Sequence, residues 1–243
     1  MLGDFKLNTE LKIQKFIGIL FVAGVILVTI PYIILSIQFN YPRILRQPVG
    51  EILEKFQEGG TGLILTWWLF AISGIIILVA YNLLGIRLKR KIWYADLIIQ
   101  IGNISAIVQI IGLMRWIFIV PLLSGLYTSK SDIYSKDLIE LIFLSIHQYG
   151  GVILGEHLGQ IFTISWMLLT STAMHKARII SKYNKYFAYL ASSIYILAQL
   201  ELFKTIFPDL ITIKFAGLIG STLWLVWLTW IGTIFIKSDK VIS

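Results

Sequence analysis

Residues 147–160 read HQYGGVILGEHLGQ. Two histidines, one glutamate and two glutamines stand here at the head of an apolar run. That run continues through Ile161 to Met174 and closes on a basic cluster at Lys176, Arg178, Lys182 and Lys185. Ionisable groups inside so apolar a segment are costly and face a protein interior or a water-filled cavity. The stretch therefore reads as the head of a transmembrane helix that carries a site. Working outward, the question is which other segments place polar groups at the same depth.

The composition agrees with a membrane chain. Of 243 residues 57% are hydrophobic and only 14% charged, and the mean hydropathy is +0.82. Soluble domains carry about 25% charged residues. The apolar segments are continuous rather than alternating, which excludes a transmembrane β-barrel. No cysteine is present, so disulfides, thiolate catalysis and Cys-ligated metals are excluded. The net charge of +8 fits membrane orientation, and no nucleic-acid partner is expected. The start, MLGDFKLNTELKIQK, carries acids and no small-residue cleavage site, and reads as a retained end.

A spanning helix needs about 20 mainly apolar residues. Six segments meet this: Phe16 to Ile37, Gly62 to Ile86, Ile92 to Leu123, Val152 to Met174, Tyr186 to Phe207, and Leu210 to Ile236. The expected fold is all-α, a polytopic bundle of six transmembrane helices forming one integral membrane domain over residues 1–243. A short apolar stretch at about 138–148 precedes the fourth span. It reads as a half-helix preface, kinked at Gly150-Gly151.

Lys and Arg set the orientation. Lys6, Lys12, Lys15, Arg87, Lys89, Arg90, Lys91, Lys176, Arg178, Lys182, Lys185, Lys237 and Lys240 fall on one side. They outnumber Arg43, Arg46, Lys55, Lys130, Lys136, Lys204 and Lys214 on the other. Both termini are therefore expected in the cytoplasm, with the chain in the cytoplasmic or inner membrane. In the first outer loop Val49, Ile52, Leu53 and Phe56 fall at helical spacing between Glu51, Glu54, Lys55 and Glu58. Pro48 suits a helix start and Gly59-Gly60 an end. The spacing predicts a short amphipathic helix at about 49–58 that either floats on the surface or covers a site beneath it.

Counting 1.5 Å per residue from the expected span ends, Arg115, Glu156, His157 and Glu201 fall within ~6–9 Å of one boundary. Gln160 and Gln109 lie somewhat deeper, and Glu156 and Gln160, four apart, share an α-helical face. His147 stands in the preface. The candidate ligand-binding set is Arg115, Glu156, His157, Gln160, Glu201 and His147. One arginine needs one carboxylate; two carboxylates plus imidazole favour a polar pocket open to the outside. The plainer alternative is a buried ion pair that fixes helix packing. Gln199, two residues from Glu201, points elsewhere. Trp93 and Trp116 read as aromatic-belt residues, and Trp67-Trp68 as belt residues or as the wall of a pocket. Trp224, Trp227 and Trp230 read as packing or lipid-facing residues.

All three histidines lie between residues 147 and 175, which argues against a bis-histidine haem. A site from His147, His157, Glu156 and Glu201 would need the preface folded back, and the usual metal-ligand spacings are absent. HExxH, GxSxG, Walker A and GxGxxG motifs are missing. No cofactor and no metal is expected.

The runs YPRILRQPVGEILEKFQEGGTGLILTWWLF, GLMRWIFIVPLL and HQYGGVILGEHLGQIFTISW resemble a prokaryotic multi-pass membrane family catalogued only as a domain of unknown function. The resemblance spans the first outer loop to the fifth helix. It implies a multi-helix membrane protein and adds no chemistry. The leading expectation is a protein that binds or passes a small ligand, ion or lipid headgroup from the outer side, as a sensor or a subunit of a larger assembly. Membrane lipids are expected partners. The rivals are an intramembrane enzyme with Glu156 or His157 as acid/base and Arg115 holding an anion, and a structural scaffold.

Overall fold

The computed structural model describes residues 2–129 and 132–239. Lys130 and Lys240, used above for orientation, lie outside them. Among the described residues all regular structure is helical. Helices α1 (Leu2–Gln38), α2 (Val49–Leu88), α3 (Ala95–Phe118), α4 (Val120–Ser129) and α5 (Ile133–Ile146) come first. A π-helical stretch, His147–Leu158, leads into α6 (Gly159–Lys176). Then follow α7 (Lys182–Ile196), the short α8 (Gln199–Leu202) and α9 (Ala216–Lys237).

Five helical segments are long and apolar enough to cross a membrane: Leu7–Gln38, Val49–Leu88, Ala95–Ser129, Ile133–Lys176 and Ala216–Lys237. The expected fifth span, Tyr186 to Phe207, is not one of them. Helix α7 has 15 residues, about 22 Å at 1.5 Å each, against a hydrocarbon core of about 30 Å. Beyond Ile196 the chain turns, forms α8 and then a single 3-10 turn at Phe203–Thr205. The apolar count over 186–207 runs across that interruption, because Leu and Phe in a turn score like Leu and Phe in a helix.

Two further boundaries differ. Pro121 does not end the third span. It sits in the first turn of α4, where a missing N–H costs little. Bonds from Ile119 N to Arg115 O (3.0 Å) and from Leu123 N to Ile119 O (3.1 Å) carry the helix through. Arg115 therefore lies ~21 Å from the end at Ser129, farther than the Pro121 boundary implies. The glycines at 150–151 do not divide a half-helix from a span either; α5, the π-helical stretch and α6 follow one another without a loop. At its start α5 is capped by Asp132, whose carboxylate accepts from the Ser135 amide (3.0 Å) and hydroxyl (2.9 Å). Those two bonds hold the Asp132 pKa below its ordinary value.

The chain forms two compact units. One comprises Ile26–Gly74 and Ile107–Leu158; the other comprises Met1–Val25, Ile75–Ala106 and Gly159–Ser243. The first unit holds the predicted amphipathic helix as the start of α2. Its Val49, Ile52, Leu53 and Phe56 are buried, while Glu51, Glu54 and Glu58 are exposed. Gly60, at φ 55° and ψ −152°, interrupts α2 as the Gly59-Gly60 pair predicts. That conformation is nearly exclusive to glycine. The helix packs on an aromatic core in which Trp67 and Trp116 stack at 4.7 Å and 9°. Phe56 stacks on Trp116 (5.7 Å) and Phe39 meets Trp116 edge-on (5.5 Å). Trp67 and Trp116 are thus fully buried, not belt residues. Burial of an indole is invisible to a count of tryptophans near helix ends. Trp93, by contrast, is 92% exposed, as a belt residue would be.

In the second unit Tyr81 stacks on Trp166 at 3.6 Å, and Trp227 donates from its indole N–H to Asn184 Oδ1 (2.9 Å). Glu10 bridges Arg87 (3.6 Å) and Arg90 (2.6 Å), both in the basic 87–91 cluster. Trp224 and Trp227 pack inside and Trp230 is partly exposed.

Candidate functional site

On α3 and the turn that follows it, Ile111, Met114, Arg115, Phe118 and Ile119 recur at i, i+3, i+4, i+7 and i+8, the spacing of one helical face. They form one wall of an open groove of about 470 Å³ in the first unit. The other wall comes from the end of α5 and the π-helical stretch: Ser145, Ile146, Tyr149, Gly150 and Leu154. Arg115 is the one charged residue in this lining. The sequence suggests a polar pocket; the groove found is mainly apolar, with a guanidinium in its wall. Phe118 (71%) and Tyr149 (64%) are well exposed at its margin.

The two walls approach closely because three glycines meet. A Cβ built on Gly112 would lie 2.7 Å from the Gly150 carbonyl oxygen and 2.9 Å from Gly155 Cα. Small residues at such crossings let helix backbones approach in membranes. A Cβ on Gly151 would fall 2.5 Å from Arg115 Nη2, so the guanidinium occupies the space a side chain would fill there.

Arg115 is buried, with 7% of its surface exposed. Nη1 donates to the Gly112 carbonyl within its own helix. The guanidinium lies 5.1 Å from the Trp116 ring centroid, a cation–π distance. Glu156 and Tyr41 act on it electrostatically, and it acts in turn on His147. Its Nε is buried without a hydrogen-bond partner, as is His147 Nδ1. The His147 ring stacks on Phe143 at 5.4 Å and 15°.

The π register explains this convergence. Nine residues separate His147 from Glu156, about two and a half turns of an α-helix, which puts them on opposite faces. With i to i+5 bonding, the steps from His147 to Gly151 and from Gly151 to Glu156 are each close to one turn. All three then face Arg115. Sequence reasoning placed Arg115 and Glu156 in one layer but set His147 apart behind a kink. The signal that could have found it is the glycine-rich run, since π segments are frequent at functional sites.

The remaining expected residues lie elsewhere. His157 is half-buried at the end of the π-helical stretch. Gln160 belongs to the second unit, where Gln199 Nε2 donates to its Oε1 (2.6 Å). Gln199, set aside above, is therefore its partner. Glu201 is exposed on α8 in the same unit, because the helix expected to carry it down from Phe207 is broken. Among the described residues no three His, Cys, Asp or Glu side chains gather as a metal site.

Long apolar helices, buried polar side chains and the absence of strands among the described residues define a multi-pass helical membrane protein. The family described as "Domain of unknown function (DUF4386)" matches residues 16–232, and the chain belongs to that family. No curated protein and no solved structure matches it.

Proposed function

We propose that this protein binds a small ligand from the membrane through the Arg115 groove, as a sensor or as a subunit of a larger assembly. The observation that carries the reading is a groove of about 470 Å³ whose wall holds a buried arginine. Ligand sites are concave, mainly apolar and carry a few polar groups that orient the ligand. A scaffold needs no such opening. The enzyme reading draws its support from the electrostatic interaction of Glu156 with Arg115. A mainly apolar lining offers less to a reacting group, so binding is favoured.

The chain has no native cysteine, which makes single-cysteine reporters clean. Ser145→Cys sits in the groove, and Leu141→Cys sits on an exposed apolar face of the same helix, outside it. Total membrane lipid added to the detergent-purified protein should protect the first from a membrane-soluble maleimide and leave the second reactive. Equal protection of both, or of neither, would contradict a ligand site here.

In the proposed orientation both termini are cytoplasmic in the cytoplasmic membrane, with α7 and the segment after it together making the fifth crossing. In intact cells Gln57→Cys and Tyr134→Cys should react with an impermeant maleimide, while Lys89→Cys and Ser238→Cys should not. Reaction at Ser238 with protection at Lys89 would mean an odd number of crossings. Reaction at Lys89 would reverse the orientation.

A further inference from the structure

We infer that the ligand of the Arg115 groove is a single-chain amphiphile with an oxyanion head, a carboxylate or a phosphate monoester; the inference rests on the ligand-binding reading above. Three observations carry it. The first is the unmet donor. Arg115 is always charged, is 7% exposed, and spends Nη1 on Gly112, while Nε has no partner. A buried donor without an acceptor is destabilising, and an oxyanion is the acceptor a guanidinium receives best. Glu156 acts on the same guanidinium, yet Nε remains unmet. The neighbouring His147 Nδ1 is a second buried polar atom without a partner.

The second observation is the apolar part of the lining. Ile111, Met114, Phe118, Ile119, Ile146 and Leu154 offer a chain of methylenes nothing but apolar contact. A soluble anion such as acetate gains nothing from that wall, whereas an acyl chain gains along its length. The third is access and size. Both walls lie on segments apolar enough to span a membrane, so an amphiphile dissolved in the bilayer is a ligand these segments would meet. About 470 Å³ lies low in the usual range of roughly 300–1,000 Å³ for ligand sites and suits one chain better than the two of a bilayer phospholipid.

The test measures protection of Ser145→Cys from a membrane-soluble maleimide in an uncharged detergent, at pH 8. Palmitate, hexadecyl phosphate, hexadecanol, acetate and inorganic phosphate are compared. Palmitate and hexadecyl phosphate should protect at concentrations roughly ten- to a hundredfold below hexadecanol, the size of one charge-assisted hydrogen bond. Whichever of the two protects at the lower concentration distinguishes a carboxylate from a phosphate head. Acetate and inorganic phosphate should not protect. In a Ser145→Cys/Arg115→Lys background, which keeps the charge and loses the planar fork, the advantage over hexadecanol should shrink markedly. Hexadecanol matching palmitate in the Arg115 background would overturn the oxyanion head while leaving ligand binding standing. Protection by acetate or inorganic phosphate alone would overturn the chain. No protection by any of the five would overturn both the inference and the reading beneath it. The Arg115 background decides each of these outcomes even if the lysine variant does not fold.

Discussion

Arg115→Ala is expected to destabilise the protein by about 2–5 kcal/mol, the range for truncating a large buried side chain to alanine. The guanidinium fills the space over Gly151 and lies against Trp116. Its loss opens a void between α3 and the π-helical stretch and leaves Glu156 without the cation that acts on it. Arg115→Ala/Glu156→Gln should recover part of the loss, because the carboxylate that acts on Arg115 is then neutral as well. Thermal or denaturant unfolding in detergent, followed by tryptophan fluorescence, reads both effects. A single mutant as stable as wild type would mean that Arg115 is not bound into the fold as its burial indicates. A double mutant no better than the single would place the cost in the void, not in Glu156.

Trp116→Ala should cost about 3–5 kcal/mol as well, the range for deleting a buried aromatic side chain. Trp116 touches Trp67, Phe39, Phe56 and Phe143, so its removal takes away the stack on which the 49–59 helix rests. The effect should be local at first. Proteolysis or hydrogen exchange in residues 49–59 should rise more than in α9, which belongs to the other unit. Trp116→Phe, which keeps a ring in place, should cost less. Uniform loss of protection over both units, with no excess in 49–59, would contradict the packing described here. Trp230→Ala, at a partly exposed position on α9, is the control and should change stability little.

What the sequence made legible follows from how strongly each feature is written in it. The helix over 49–58 is read correctly because four apolar residues at helical spacing, a proline before them and two glycines after them all point the same way. The spans around α1, α2 and α9 are long apolar runs without interruption. The segment 186–207 is read as one continuous helix because hydropathy does not record where a helix stops, and Gln199 and Glu201 come to lie on a separate short helix. Depth counted from Pro121 fails for a related reason, since proline in a first helical turn does not end a span.

Within the candidate site, Arg115 and Glu156 are singled out because a charge inside an apolar run must find a partner. His147 is singled out by type but not by place. Its approach to Arg115 depends on the π register, and α-helical arithmetic turns the wrong face inward. Trp116 is missed because an indole beside an arginine at the end of an apolar run looks like an interfacial residue until its burial is known. The bond between Gln160 and Gln199 is missed, because Gln199 reads as pointing elsewhere.

The central claim is that Arg115 anchors a ligand that comes from the membrane. Native mass spectrometry of the protein purified in a mild detergent tests it most directly, with wild type compared against Arg115→Ala/Glu156→Gln. The double mutant is the right comparison because it removes the anchor together with the carboxylate that acts on it. The wild type should carry about one bound amphiphile per chain, in line with a single charged group in the groove lining, and the folded double mutant should lose it. A wild type that retains no such species, or a folded double mutant that retains it to the same extent, would contradict the claim.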